Sequence, residues 1–358
     1  MKILNTVITG TGSVIPDVTV SNTDFMEHSF FSADKMEIDS PISQIIDKFK
    51  DITGIKYRRY ANNNQTASDL ATQAALKAIE SAGINPEELD QIIVAHNFGD
   101  ITYGSNQSDA VPSLASRVKH KLGIKNPNCV PFDILFGCPG WIQALIQADA
   151  FIRAGMANKC LIIGAETLSR TIDKNDRDSM IFSDGAGAVI LEKELSDTQR
   201  GIISTAVAAH TQEEVGYIYM DKTNNPTNDS STKYIKMLGR KVYEYALSNV
   251  PAAMKTAYDK TGLPVEELTK IIIHQANEKM DEAIVQRFFK LYKLKCDLSK
   301  VMPMNIAEMG NSSVATIPTL YDMILRKNHN GHAISSGDII MFASVGAGMN
   351  INAVVYKQ

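Results

Sequence analysis

The chain is short of the residues that mark several classes of protein. It has one tryptophan and four cysteines in 358 residues, and aromatic side chains make up 7% of it. Cys129, Cys138, Cys160 and Cys296 stand singly, without the paired spacing of a zinc site or the density of a disulfide framework. A reducing cytoplasm and no metal ion are therefore the expectation. No run approaches the ~20 apolar residues that span a bilayer. The start, Met1-Lys2-Ile3-Leu4-Asn5-Thr6, leads into a strand-like run rather than a signal-peptide core. Membrane insertion is not expected. Basic residues are scattered apart from Lys56-Tyr57-Arg58-Arg59, and the net charge is −4 at pH 7, so nucleic acid is not an expected partner. What remains is globular: 44% hydrophobic, 21% charged, with length for roughly two domains of about 150 residues.

The chain repeats itself. Gly83-Ile84-Asn85-Pro86-Glu87-Glu88-Leu89-Asp90-Gln91-Ile92-Ile93-Val94 matches Gly262-Leu263-Pro264-Val265-Glu266-Glu267-Leu268-Thr269-Lys270-Ile271-Ile272-Ile273 at an offset of 262 − 83 = 179. At the same offset Leu161-Ile162-Ile163-Gly164 falls on Ile340-Met341-Phe342-Ala343. All four apolar runs are short and continuous, as in strands buried on both faces. A helical pattern precedes each member of the first pair, over 68–82 and 242–260. Strands alternating with helices predict an α/β fold with parallel sheets covered by helices. The offset predicts two similar halves, 1–180 and 181–358, related by a pseudo-twofold axis.

Three residues carry the chemistry. Cys138 lies in Phe136-Gly137-Cys138-Pro139-Gly140, after the apolar run Phe132-Asp133-Ile134-Leu135 and before a helical stretch over 141–154. A thiol at a helix N-terminus is expected to favour the thiolate. His274 follows the apolar run 270–273, and Asn311 sits in Met309-Gly310-Asn311-Ser312-Ser313. A Cys, a His and an Asn at strand ends or loops are the parts of a thiol nucleophile site. Each alone also has a plainer reading: a small buried hydrophobe, a hydrogen-bonded strand-end histidine, a helix cap. Cys138 lies in the first half, and His274 and Asn311 in the second. Val130-Pro131 before the Cys turn resembles Met302-Pro303 before the Asn turn, so the two following helices are expected as counterparts whose starts meet on the pseudo-axis.

These motifs, in this order along almost the whole chain, resemble the β-ketoacyl-acyl-carrier-protein synthase III group of the thiolase superfamily. The pieces that carry the resemblance are 132–140, His274-Gln275-Ala276-Asn277, 310–313, Phe182-Ser183-Asp184-Gly185-Ala186-Gly187-Ala188 and Thr53-Gly54-Ile55. The resemblance implies a five-layered α-β-α-β-α fold of two pseudo-repeats and a homodimer. It implies that Cys138 takes an acyl group from a thioester. His274 and Asn311 would promote decarboxylation of a malonyl-type thioester, and the resulting carbanion would attack the acyl-cysteine. The backbone N–H groups of Cys138 and Ala347 would form the oxyanion hole, Ala347 standing where relatives commonly have Gly. Gly346 and Gly348 flank it as substrate-binding positions. Arg177 would contact coenzyme A, and Lys279 with Arg287 would dock an acidic acyl carrier protein. No cofactor is implied beyond these thioester substrates.

The sequence also departs from the family pattern. Lys48 and Ile52 stand where a Trp and an Arg clamp the nucleotide in acetyl-primed relatives. Val111 occupies the position that closes the partner's acyl pocket, often a Phe, and the loop 98–108 before it is long. The segment 21–50, with Phe25, Phe30 and Phe31, is long too and is expected as a lid. These departures point to a longer or bulkier starter than acetyl, in fatty-acid initiation or a secondary-metabolite pathway. Asp184-Gly185-Ala186-Gly187-Ala188 reads as a tight turn at the half boundary, because it lacks the Lys of a phosphate loop. Asn277 reads as loop support. A non-decarboxylating Claisen enzyme, acyl transfer to oxygen or nitrogen, and a non-catalytic partner subunit stay open as alternatives.

Overall fold

A computed structural model describes residues 2–327 and 329–358. The first half contains β1 (Ile3–Val14), α1 (Ile42–Thr53) between the paired β2 (Val18–Ser21) and β3 (Tyr57–Tyr60), then α2 (Ala67–Ala82), β4 (Gln91–His96), α3 (Leu114–Lys121), β5 (Val130–Leu135), α4 (Gly140–Arg153), β6 (Lys159–Thr167) and β7 (Asp184–Ser196). The second contains β8 (Gly201–Ala209), the pair β9 (Ile218–Asp221) and β10 (Tyr234–Met237), α5 (Gly239–Asp259), β11 (Leu268–Ile273), α6 (Glu278–Leu291), the short α7 (Leu298–Val301) and α8 (Ile306–Met309), α9 (Thr316–Lys327), β12 (Ile339–Gly346) and β13 (Asn350–Lys357).

Among the described residues, nine strands join in the order β11-β12-β13-β8-β1-β7-β6-β4-β5. The row is two copies of one arrangement meeting at a single parallel contact, Thr6 opposite Gly201. Outward from that contact one side reads β1, β7, β6, β4, β5 and the other β8, β13, β12, β11. In both, the last two strands in chain order form an antiparallel pair, β6 with β7 and β12 with β13. The β5 position has no counterpart strand: after α7, 302–305 run without strand pairing.

Side-chain alternation on the strands explains the layers. Ile92 and Val94, with Leu161 and Ile163, face outward onto α2 and α3. Ile93 and Ile162 face inward onto α4 and α9. On the other sheet Ile272, Ile340 and Phe342 face those same two helices, while Ile271, Ile273 and Met341 face α5 and α6. The stack is helix, sheet, helix, sheet, helix, with α4 and α9 buried as the middle layer. That explains why α4 is apolar nearly all round: Trp141, Ile142, Leu145 and Ile152 are each at most 1% exposed. Each such side chain contributes roughly 1.5–3 kcal/mol of burial.

The structure changes four expectations. The first half does not end at residue 180, because β7 (Asp184–Ser196) pairs along its length with both β1 and β6. The second half begins near Gly201, with β8. Asp184-Gly185-Ala186-Gly187-Ala188 is not a turn but the first part of β7. Its Asp184 carboxylate accepts from the N–H groups of Ala61 and Ser169 and from the Ser169 hydroxyl, so the acidic residue braces the chain rather than a ligand. Phe25 and Phe30 are core residues packed with Ile45, Phe49 and Phe182, and the aromatic patch at 25–31 does not line the cavity described below. The offset between the halves also drifts. Ile92 pairs with Leu161 while Ile271 pairs with Met341, so the counterpart of Leu161 lies 341 − 161 = 180 residues on. The helical expectations for 68–82, 141–154 and 242–260 agree with α2, α4 and α5 to within a few residues.

Candidate active site

Cys138, His274 and Asn311 line one cavity of about 370 Å³ that also takes in Ser313, Ala347 and Gly348. Its remaining walls are mostly apolar: Phe98, Leu135 and Leu168 from the first half, and Ile218, Met220, Ile235 and Met237 from β9 and β10.

Cys138 sits in the turn between β5 and α4. Gly137 turns there at φ +76, a left-handed conformation that glycine adopts without steric cost. The turn lies against Gly346 and Ala347. A Cβ built on Gly346 would come within 2.6 Å of the Cys138 nitrogen and 2.7 Å of Pro139 Cδ. Glycine at 346 is thus a requirement of close approach. Ala347 lies outside the left-handed region, so its methyl group is unstrained. The Asn350 amide donates to its carbonyl oxygen at 2.9 Å.

His274 follows β11 directly, and its N–H donates to the Ala343 oxygen at 2.8 Å, extending the β11–β12 pairing. The ring is 4% exposed, and its Nδ1 is buried with no hydrogen-bond partner among the described residues. Burial pushes the imidazole down to about 4, so it is neutral at physiological pH. The next residues hold the site together. Gln275 is fully buried, and its Oε1 accepts from the N–H groups of Asn305 and Ile306, both at 2.9 Å, while its Nε2 donates to the Pro303 oxygen. Asn277 caps α6 by accepting from the Met280 N–H at 3.0 Å, the supporting part expected of it.

The Gln275 clamp fixes the start of α8, and α8 delivers Gly310 and Asn311. The Asn311 backbone is tied to Ile181 and Ser183 by hydrogen bonds of 2.9 and 2.8 Å. Its side-chain Oδ1 accepts from the Ser313 N–H at 2.7 Å. With the oxygen so engaged, the amide nitrogen is left as the group available to a ligand.

One electrostatic expectation is corrected. Burial pushes the Cys138 thiol up to about 11, with the buried Glu166 acting in the same sense and a hydrogen bond from Ser313 opposing. The start of α4 does not offset the loss of solvation, and among the described residues no cation faces the sulfur. The resting residue is a thiol.

The other expected site residues lie elsewhere. Arg177 is half exposed, with Asp178 at 3.5 Å as its salt-bridge partner, and does not line the cavity. Val111 is 87% exposed and also lies outside it. Lys279 is exposed on α6, whereas the Arg287 guanidinium donates to the Leu247 oxygen at 3.0 Å, which ties it to α5. Cys129 and Cys160 are buried and Cys296 is partly so. Among the described residues no group of three His, Cys, Asp or Glu side chains is placed to hold a metal, and no helix is long and apolar enough to cross a membrane.

Sequence profiles for 3-oxoacyl-[acyl-carrier-protein] synthase III match residues 132–211, and those for its C-terminal part match 258–358. The chain is 34% identical over 356 residues to the β-ketoacyl-[acyl-carrier-protein] synthase III of Neisseria meningitidis, covering 98% of each chain. This chain belongs to the β-ketoacyl-[acyl-carrier-protein] synthase III family. The crystal structure of the 3-oxoacyl-[acyl-carrier-protein] synthase III of Aquifex aeolicus superposes with a TM-score of 0.79 at 29% identity, covering 99% of this chain and 100% of that one. The priming β-ketosynthase of the R1128 polyketide pathway superposes at 0.80 with 25% identity, covering 99% and 96%. The fold is thus the thiolase-like one, and the enzyme class is that of acyltransferases which form a carbon–carbon bond by Claisen condensation.

Proposed function

We propose that this synthase condenses an acyl group carried on Cys138 with a malonyl-type thioester. The observation that carries the reading is the convergence of Cys138, His274 and Asn311, from separate elements of both halves, on one apolar-walled cavity. In the first half-reaction Sγ attacks the thioester carbonyl of the donor. A carbon–sulfur bond forms, the donor's carbon–sulfur bond breaks, and its thiolate leaves with the Cys138 proton. In the second, the malonyl carboxylate departs as carbon dioxide, and the electron pair passes into the thioester as an enolate. The enolate carbon attacks the acyl-cysteine and expels the Cys138 thiolate, giving a β-ketoacyl thioester.

The site chemistry suits each step. A neutral His274 and the Asn311 amide are uncharged donors for the enolate oxygen, and one such donor is worth about 2.7–4 kcal/mol in an oxyanion hole. A cationic imidazole would instead pair with the malonyl carboxylate and hold it back. The N–H groups of Cys138 and Ala347 are the candidates for the acyl carbonyl. The Cys138 and Gly346–Ala347 turns pack against each other, which supports that pairing.

The donor is a coenzyme A or acyl-carrier-protein thioester. Exposed Lys279 is the better docking candidate, since Arg287 is held by α5. The assembly is a homodimer formed through the β5 edge. That strand ends the sheet with Val130 51% and Leu135 71% exposed, and Leu135 lines the cavity, so a partner there would cover both. The cytoplasm is the compartment.

The test is intact-protein mass spectrometry after incubation with acyl-coenzyme A and acyl-carrier thioesters, short to long. A mass gain of one acyl group in the wild type, absent in Cys138→Ala, is the expected result and names the preferred chain. An equal gain in Cys138→Ala would overturn the assignment.

A further inference from the structure

The Cys138 sulfur meets a hydroxyl from the opposite half. Ser313 Oγ donates to Sγ at 3.3 Å. Ser313 is 3% exposed and held at φ +53, with its N–H on the Asn311 side chain. Its oxygen accepts from Asn97 Nδ2 at 2.9 Å. The same amide nitrogen donates to Glu166 Oε1, at the end of β6, where the carboxyl is 2% exposed. The four groups form a chain in which each link has one sense. An amide nitrogen only donates. Asn97 therefore occupies the serine oxygen as acceptor and leaves the serine proton for sulfur. Glu166, the terminal acceptor, holds the amide in that orientation.

Resting on the nucleophile reading above, we propose that Ser313 is a further catalytic residue that donates its hydroxyl hydrogen bond to the Cys138 thiolate, with Asn97 and Glu166 as its positioning residues. Both half-reactions pass through that thiolate: it attacks the donor and is later expelled by the enolate. Among the described residues no cation faces the sulfur, and burial disfavours its charge, so a donor at Sγ is the means at hand of lowering that cost. Hydrogen bonds to charged groups are worth more than those between neutral ones. Burial also keeps Glu166 protonated well above the ordinary carboxylate range, so a neutral acceptor is sufficient at the end of the chain. The sequence makes room for the arrangement at Gly164. A Cβ there would fall 2.4 Å from the Val314 oxygen, and its absence lets the 312–315 turn drop onto β6 beside Glu166.

The test follows alkylation of Cys138 by iodoacetamide from neutral to alkaline pH, read by intact and peptide mass, beside the rate of acylation by a thioester. For Ser313→Ala the alkylation midpoint is expected to rise by about one pH unit, roughly tenfold slower labelling at neutral pH, with acylation slowed in parallel. Asn97→Ala and Glu166→Ala are expected to show part of the same shift. Glu166→Gln, whose amide oxygen still accepts, is expected to stay near the wild type. A folded Ser313→Ala with an unchanged or lowered midpoint overturns the proposal. If that variant fails to fold, Glu166→Ala matching Glu166→Gln overturns the positioning chain. Label found equally in Cys138→Ala would sink the nucleophile assignment beneath it, an outcome separable from wild-type labelling at Cys138 that ignores Ser313.

Discussion

The two halves of the molecule start from one plan and diverge where chemistry is needed. In the first, β5 leads into the Cys138 turn and α4. In the second, the corresponding stretch before Asn311 forms no strand, and the short α8, clamped by Gln275, takes its place. The insertions between the first strand and first covering helix of each half differ as well. β3 packs beside α8, and β2 and β3 add no residue to the cavity, whereas β9 and β10 supply four apolar side chains to its wall. A repeated scaffold can thus bring a thiol from one copy into one cavity with an imidazole and an amide from the other, because only the turns have to change while the strand pairing persists.

The sharpest way to break that division of labour is to remove the second half's donors. His274→Ala and Asn311→Ala are expected to form the acyl-enzyme yet lose about 10²–10³-fold in release of carbon dioxide from a malonyl thioester. Normal decarboxylation in either would return that step to the first half.

A second measurement contrasts the buried groups by their titration. His274 is pushed down to about 4 from the usual 6.5, so across that window the unfolded chain binds more protons than the folded one. Its contribution to stability is intact above about pH 6.5 and is lost as the pH falls toward 4, on the order of 3 kcal/mol in all. The first half's buried acids run the opposite way: burial pushes Asp184 up to about 6 and raises Glu166 well above the ordinary carboxylate range. The His274 part is therefore read as a difference. Denaturant unfolding of His274→Gln beside the wild type should show a shallower loss on acidification, and parallel curves would mean that the ring is hydrated in the folded protein.

The smallest effect separates the two insertions. Ile235→Ala on β10 is expected to shift the preferred acyl chain toward greater length by a few-fold in kcat/KM, since a methylene in such a pocket is worth about 1–3 kcal/mol at most. Val18→Ala on β2, already 41% exposed, is expected to leave the preference where it was. Equal effects would show that both insertions touch substrate.

The Cys138, His274 and Asn311 motifs were legible because each is a local signal: a small-residue turn or an apolar strand end beside one reactive side chain. The repeat was legible because buried strands leave continuous apolar runs. Asn97 and Glu166 were not, and Ser313 stood inside a recognised motif without a sign of its role, since their contacts join residues 69 and 216 positions apart, and an Asn, a Ser or a Glu carries no pattern of its own. Gln275 stood inside a recognised motif, yet its clamp on α8 depends on 303–306 lying across it. The half boundary was misplaced because β7 returns to pair with β1, a long-range antiparallel contact that an offset count cannot register.

The sequence by itself determined the element types, the two-copy plan and the choice of Cys138, His274 and Asn311 as candidates, because periodicity and turn chemistry act between near neighbours. Tertiary structure decided the rest. It brought a thiol, an imidazole and an amide from separate elements to one cavity, and it removed the solvation that would have kept Cys138 and His274 at their ordinary titration ranges. Burial is a property of everything packed around a group, and no window of the sequence contains that.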